Sequence, residues 1–375
     1  MTSWTIQDLQ VVQTRQPTAA GDDTFFVAVR AGHALGWYGP VGERVGRYVN
    51  DVLAPEAKDV LVTDHAGLLD HLRAAARRRP GEVASWAVGT VDCAVWDLHG
   101  RLAERTVAGL LTTEAPRPLI PAYASWLTQD LSSINSPNVL TGVMAGGWSF
   151  TKWGLRRNPS DPSAEAAVRM AQAVERCSHA LGAPLAVDAV GTWTPAVALA
   201  FAQVADPACL RWLEDPLPRH DAETYELLAA TPLPLAVGER AHCDEDPVGL
   251  IQYIRPTALT LDAVGCGGLT RAAQIIPVAR AQGVPVYPHG RSLVPGLHLA
   301  AAYPDAVSAV EYRLRWEPGR QRLYEMPLRP EDGHLRLPDA PGLGTTPRST
   351  ACPAPHCTFP SRARSPTAPK GPCSA

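Results

Sequence analysis

The chain has 375 residues, 46% of them hydrophobic, and a net charge of −3, which is too long for one small core and suits two domains or one large α/β barrel. Lysines and arginines are scattered, with no basic stripe or polybasic run, so neither nucleic acid nor a membrane surface is an expected partner. The opening MTSWTIQDLQ lacks a basic stretch followed by an apolar one, no apolar run is long enough for a bilayer span, and the 8 cysteines are widely spread; a cytoplasmic protein with reduced thiols at Cys93, Cys177, Cys209 and Cys266 is expected.

In chain order, residues 1–115 read as an α+β unit. Trp4–Gln16 and Thr24–Trp37 are strand-like, separated by the polar loop PTAAGDD, and Gly39-Pro40 predicts a turn. Three helical patterns follow. The strongest runs from Val83 to Leu102, with Val88, Val91, Val95 and Leu98 at helical spacing. From Pro121 the texture becomes strand–helix alternation, with strands at Ala122–Ser125 and Gly147–Leu155 and a long amphipathic helix at Ser163–Leu181. Further helices are expected near Thr194–Val204, Ala222–Ala230, Pro247–Ile254, Leu269–Gln282 and Val294–Ala302.

Between these helices stands a ladder of apolar runs, each ending in one titratable residue: LAVD at Asp188, LRWLE at Glu214, PLAVGE at Glu239, ALTLD at Asp262, VPVYPH at His289 and VSAVE at Glu311. The rungs are spaced by roughly 22 to 27 residues, the length of one βα unit. With the two earlier strands they make eight units, the count of a TIM barrel, whose catalytic groups sit at strand C-termini. The stretch after Pro341-Gly342-Leu343-Gly344 is rich in Pro, Ser and Thr, and residues 345–375 are expected to be a disordered tail. Cys352, His356, Cys357 and Cys373 in that tail match no common zinc spacing.

A charge at the end of a buried strand is costly unless it is paired or ligates a metal. Three successive carboxylates, Asp188, Glu214 and Glu239, suit a hard divalent cation such as Mg²⁺, leaving positions open for a substrate carboxylate. The competing reading is three separate surface or capping acids. Asp262 beside His289 would fix the imidazole tautomer and raise its basicity, as a general base requires, although a structural histidine also fits. Glu311 reads either as a hydrogen-bond donor to charge developing on the substrate or as an ion-pair partner.

These motifs together resemble the enolase superfamily, in its mandelate racemase/muconate lactonising branch and mandelate racemase-like subgroup. Ala84–Leu111, with Asp92 and Asp97, resembles the signature helix. VDAVGTW, WLEDPL and VGER resemble the three metal-ligand strands, LDAVGCGGLT with VYPHG resembles the Asp–His dyad, and VEY matches Glu311. The resemblance covers residues 1 to about 344. It implies an N-terminal α+β cap (1–115, with a closing return near 325–344) over a modified (β/α)7β TIM barrel (116–324). It also implies a homo-oligomer and Mg²⁺-assisted removal of the proton α to a carboxylate by His289, giving an enediolate.

Three departures from the family pattern matter. The usual Lys-x-Lys of the second barrel strand is here Lys152-Trp153-Gly154, so the second lysine, a base on the opposite face, is missing. Val190 stands where an amide is common. The chain after PGLG turns into the Pro-rich stretch, which is read as a divergent or frame-altered terminus. The expected function is dehydration of an acid sugar to a 2-keto-3-deoxy acid. A racemase or epimerase of a 2-hydroxy acid with Lys152 as opposing base is the alternative, and a catalytically silent ligand-binding barrel is a third reading. A metal-dependent amidohydrolase is disfavoured because AYAS offers no His-x-His. Substrate contacts are expected from Tyr123, Ser125, Arg240 and Arg291, with weaker candidates at His33, His242, the loop near Pro17–Asp23, and the backbone donors of Gly267, Gly268 and Thr270 at a helix start.

Overall fold

A computed structural model describes residues 4–14, 23–218, 222–242 and 246–349. Most of the loop expected near Pro17–Asp23, and residues 350–375 of the expected tail, lie outside them. The first residues of that tail are instead ordered, with Thr345 buried, Glu325 N donating to Thr346 O and Arg348 N to Leu323 O, because backbone pairing with 323–325 replaces the apolar side chains this stretch lacks. The N-terminal part forms an antiparallel sheet of β1 (Asp8–Gln13), β2 (Asp23–Ala31) and β3 (Ala34–Gly42), in that order. The single strand expected over Thr24–Trp37 is therefore a hairpin. Ala31 pairs with Ala34, and Gly32 at φ 57 supplies the positive φ that a two-residue turn requires. The turn expected at Gly39-Pro40 is instead inside β3. Val27 pairs with Tyr38 and Phe25 with Val41, so the two residues sit in a bulge, where proline's missing N–H breaks no ladder bond.

The helix Glu82–Leu102 packs on β3, and its close approach depends on Gly36, where a Cβ would lie 2.3 Å from the Ala94 carbonyl oxygen. Two buried aspartates on this helix tie distant segments together. Asp97 accepts from the Trp37 and Leu343 backbone N–H groups (2.8 and 2.7 Å). Asp92 accepts from Thr270 N (3.0 Å) and Thr270 Oγ1 (2.5 Å), which caps the start of the helix Leu269–Ala281. The backbone donors expected to await an anion there are thus already satisfied from within the protein.

The second sheet is parallel and curled. Its strands β4 (Leu119–Trp126), β5 (Thr151–Gly154), β6 (Leu185–Asp188), β7 (Leu210–Glu214), β8 (Leu235–Val237), β9 (Ala258–Leu259) and β10 (Val310–Arg313) pair in the order β10-β4-β5-β6-β7-β8-β9. Val286 adds an eighth rung through a parallel bridge to Leu259, and its N–H donates to Ala306 O. Seven helices alternate with these eight positions: Ser136–Met144, Ser163–Leu181, Pro195–Val204, Ala222–Ala229, Pro247–Ile254, Leu269–Ala281 and Leu293–Ala302. This is the modified (β/α)7β barrel. β11 (His334–Arg336) returns antiparallel to β4.

Local signals set the helix ends. Gly182 at φ 68 stops Ser163–Leu181 in a left-handed cap. Thr194 accepts from Val197 N ahead of Pro195 at the first helical turn. One apolar cluster joins the N-terminal sheet, the helix Glu82–Leu102 and the barrel helices Leu269–Ala281 and Leu293–Ala302. Cys93, Cys177, Cys209 and Cys266 are buried free thiols. Among the described residues no helix is long and apolar enough to cross a membrane.

Candidate active site

Because strand side chains alternate faces, the barrel interior can be read two residues at a time. Tyr123, Phe150, Ala186, Trp212, Ala236, Ala258, Tyr287 and Ala309 form a buried apolar floor. Two residues further along the same faces stand Ser125, Lys152, Asp188, Glu214, His289 and Glu311, all buried. Asp262 is reached in two further steps from Ala258. Glu239 follows Gly238, whose φ of 133 is open to glycine and lets the chain turn as β8 ends.

One carboxylate oxygen each of Asp188, Glu214 and Glu239 lie within 4.8 Å of one another. Asp188 Oδ2 is buried with no hydrogen-bond partner, and an all-oxygen donor set with an orphaned buried carboxylate oxygen fits a hard divalent ion. Lys152 supplies the fixed counter-charge. Its Nζ is 2.9 and 3.0 Å from the two Glu214 oxygens, 3.2 Å from Glu311 Oε1 and 3.5 Å from Asp188 Oδ2. Burial alone would lower its pKa, but Glu214 and Glu311 outweigh it and hold the ammonium well above its ordinary value. Burial raises the pKa values of Asp188 and Glu214 against the pull of Lys152.

His289 Nδ1 is 3.0 Å from Asp262 Oδ2. Asp262 Oδ1 accepts from Val264 N, Gly265 N and Ser292 Oγ at 2.9, 2.7 and 2.5 Å. These bonds and His289 together overcome burial and keep Asp262 below its ordinary pKa, so Nδ1–H donates and Nε2 is left as the basic nitrogen. Nε2 lies 3.5 Å from Glu239 Oε1 and 3.7 Å from Glu311 Oε2. Burial would lower the imidazole pKa, yet Glu239, Glu311 and Asp262 raise it to about 9, so without a metal the ring also carries a proton on Nε2. A divalent cation on Glu239 would offset the leading contribution and free that nitrogen. Glu311 Oε2 accepts from Gly290 N at 2.8 Å. Burial would raise the Glu311 pKa, but Lys152 and His289 lower it to about 2. As found, Glu311 is an ionised acceptor rather than a donor.

On β5, Gly154 is the next inward residue after Lys152. A Cβ there would lie 2.1 Å from the Leu127 carbonyl oxygen, so the backbone after β4 fills the start of the path a second lysine would take.

The four residues expected to touch substrate divide. Ser125 is buried on the inner face of β4, and its Oγ has no hydrogen-bond partner within the protein. Tyr123 is stacked on Phe150 at 4.3 Å in the apolar floor, below the carboxylates and away from the mouth. Arg240 donates from Nη2 to Val190 O at 2.6 Å, with its Nε 3.9 Å from Asp215 Oδ2; it braces the loop after Asp188. Arg291 lies over the Trp86 ring at 4.2 Å, a contact from the cap helix that the sequence reading missed. Of the weaker candidates, His242 is buried and His33 packs edge-on against Trp4.

The braced loop carries strain. Val190 has φ 53, and its N–H donates to Asp188 Oδ1 at 2.7 Å. A β-branched residue in the left-handed region costs on the order of 1–2 kcal/mol, whereas Asn tolerates it. Val190→Asn is therefore expected to raise unfolding stability by about 1 kcal/mol in urea denaturation; an unchanged or lower midpoint would contradict the assigned strain.

The family model described as enolase C-terminal domain-like matches residues 142–351, more than half of the chain. The chain belongs to the enolase superfamily. This enolase-superfamily enzyme is 25% identical over 333 residues to a D-galactonate dehydratase family member of Oceanicola granulosus, covering 80% of this chain and 82% of that one. It is 28% identical over 270 residues to the L-talarate/galactarate dehydratase of Salmonella typhimurium, covering 70% and 64%. Its fold is similar to that of a mandelate racemase/muconate lactonizing enzyme from a marine actinobacterium, solved in complex with magnesium, with TM-score 0.75, 19% identity and coverage of 93% and 99%. Relatives thus include acid-sugar dehydratases, and the fold is that of the mandelate racemase-like branch.

Proposed function

We propose that this superfamily member dehydrates an acid sugar in a Mg²⁺-dependent reaction with one base. The observation that carries this reading is the one-sidedness of the site. The His289–Asp262 dyad is intact, while on β5 Lys152 is locked among carboxylates as an ammonium and Gly154 faces the Leu127 backbone. A racemase needs a base on each face of the α-carbon, and here the second position has no free base.

Asp188, Glu214 and Glu239 would hold Mg²⁺. When bound, the ion polarises the substrate carboxylate and offsets the charge that gathers there as the α-proton leaves. Lys152, beside the same carboxylates, anchors the substrate carboxylate electrostatically. His289 Nε2 takes the α-proton, breaking the C–H bond, and Asp262 stabilises the imidazolium that results. The electron pair then forms the Cα–Cβ double bond as the β-hydroxyl departs. His289 returns the proton to that hydroxyl, releasing water, and the enol tautomerises to a 2-keto-3-deoxy acid. Glu311 begins as a carboxylate, and an arriving anion beside it raises its pKa by like-charge repulsion, so proton uptake on binding would turn it into a donor.

The test is a screen of aldonic and aldaric acids with and without Mg²⁺, assayed for 2-keto product. Product formation only with the metal is expected. Racemised substrate without keto product would refute the reading.

A further inference from the structure

Arg313 lies two residues beyond Glu311 on the same face of β10, paired with Ser125 of β4. Two residues of parallel strand advance about 6.6 Å, so its backbone stands one step nearer the mouth than Glu311. Its side chain is 12% exposed, yet the nearest carboxylate oxygen, Glu317 Oε2, is 4.0 Å from Nη2, and its Nε is buried without a hydrogen-bond partner. The same Glu317 oxygen faces Arg320 Nε at 3.7 Å, and the other accepts from Gln321 at 2.8 Å. Arg320 itself donates to the Pro40 and Arg291 carbonyl oxygens. Two guanidinium groups therefore share one loosely placed carboxylate. Burial and the nearby Arg320 lower the Arg313 pKa, and Glu317 and Glu311 offset this only in part.

We propose that Arg313 binds the distal carboxylate of a dicarboxylic acid sugar whose near carboxylate sits beside Lys152 and the Asp188–Glu214–Glu239 cluster. The proposal rests on the acid-sugar reading above and narrows it to aldaric acids. A planar guanidinium with an unused N–H edge suits a carboxylate in a forked, charge-assisted contact. The hydroxymethyl end of an aldonic acid offers only a neutral partner and would leave the cation with the shared Glu317 carboxylate and the Trp316 ring, 5.4 Å away. Arg313 thus stands toward the mouth from Glu311, whose Oε1 is 3.2 Å from the Lys152 ammonium at the near end. If Arg313 merely tied the cap to the barrel through Glu317, its loss would weaken both substrate types alike.

The experiment is calorimetric titration of galactarate and galactonate, which differ at C6, into Mg²⁺-loaded protein carrying His289→Asn to prevent turnover. Galactarate is expected to bind roughly 10-fold or more tightly than galactonate. Arg313→Gln is expected to abolish that ratio with galactonate affinity unchanged, and Arg313→Lys, which keeps the charge but not the fork, to retain part of it. Equal affinities with Arg313 present, a preference that survives Arg313→Gln, equal losses for both ligands, or no binding of either would overturn the proposal. The dehydratase reading is scored separately, by 2-keto product from the wild-type protein, so either can fail alone.

Discussion

Replacing His289 with Asn is expected to lower turnover by on the order of 10⁴-fold while leaving Mg²⁺ affinity unchanged within a few-fold. The asparagine amide can still donate toward Asp262 Oδ2, so the surrounding hydrogen bonds from Val264, Gly265 and Ser292 keep their anchor. What disappears is the basic nitrogen 3.5 Å from Glu239 and 3.7 Å from Glu311. Turnover by steady-state assay and Mg²⁺ binding by calorimetry separate the two properties. Retained turnover would remove His289 from the chemistry, and a loss of metal binding would show that it supports the carboxylate cluster.

Lys152→Met is expected to destabilise the metal-free protein by about 3–5 kcal/mol at pH 8, the usual cost of orphaning a buried ion-pair partner. Asp188, Glu214 and Glu311 have no exposed surface, and each lies within 3.5 Å of the ammonium. Burial already raises the first two pKa values against the pull of Lys152. Without it, the folded-state pKa values rise further above the unfolded ones. The folded state then holds more protons than the unfolded state, so stability is retained at low pH and lost as pH climbs through the raised values. Urea denaturation at pH 5 and pH 8 should show a variant that approaches wild type only at the lower pH, with millimolar Mg²⁺ restoring part of the loss at the higher. A variant as stable as wild type at pH 8 would mean that the ammonium is not the counter-charge of this cluster.

Much of this arrangement was legible in the sequence because a barrel strand buries both faces until its end. A charge that closes an apolar run therefore marks a strand C-terminus, and even spacing marks a shared mouth. Asp188, Glu214, Glu239, Asp262, His289 and Glu311 converge for that reason. Tyr123 and Ser125 stand out in the sequence as polar groups of the first barrel strand, but their heights along the barrel do not; Tyr123 lies among the floor aromatics, stacked on Phe150. Arg240 follows Glu239 directly, yet its partner is the carbonyl of Val190, 50 residues away, and nothing local to VGER announces that bond. Asp92 was seen only as part of a helix, since its partner Thr270 is 178 residues distant. The lost lysine at Gly154 was visible as a letter; the Leu127 backbone beside it was not. Arg313 was passed over because an arginine ending a strand reads as solvated until its burial is known.

Proton removal is expected on one face of the α-carbon only, by His289. Incubation in D₂O with Mg²⁺ and a turned-over acid sugar tests it most directly, with the product and the recovered substrate read by NMR. The expected result is 2-keto-3-deoxy product and recovered substrate with its α-configuration intact. Recovered substrate that is epimerised and deuterated at the α-carbon, with no keto product, would contradict it.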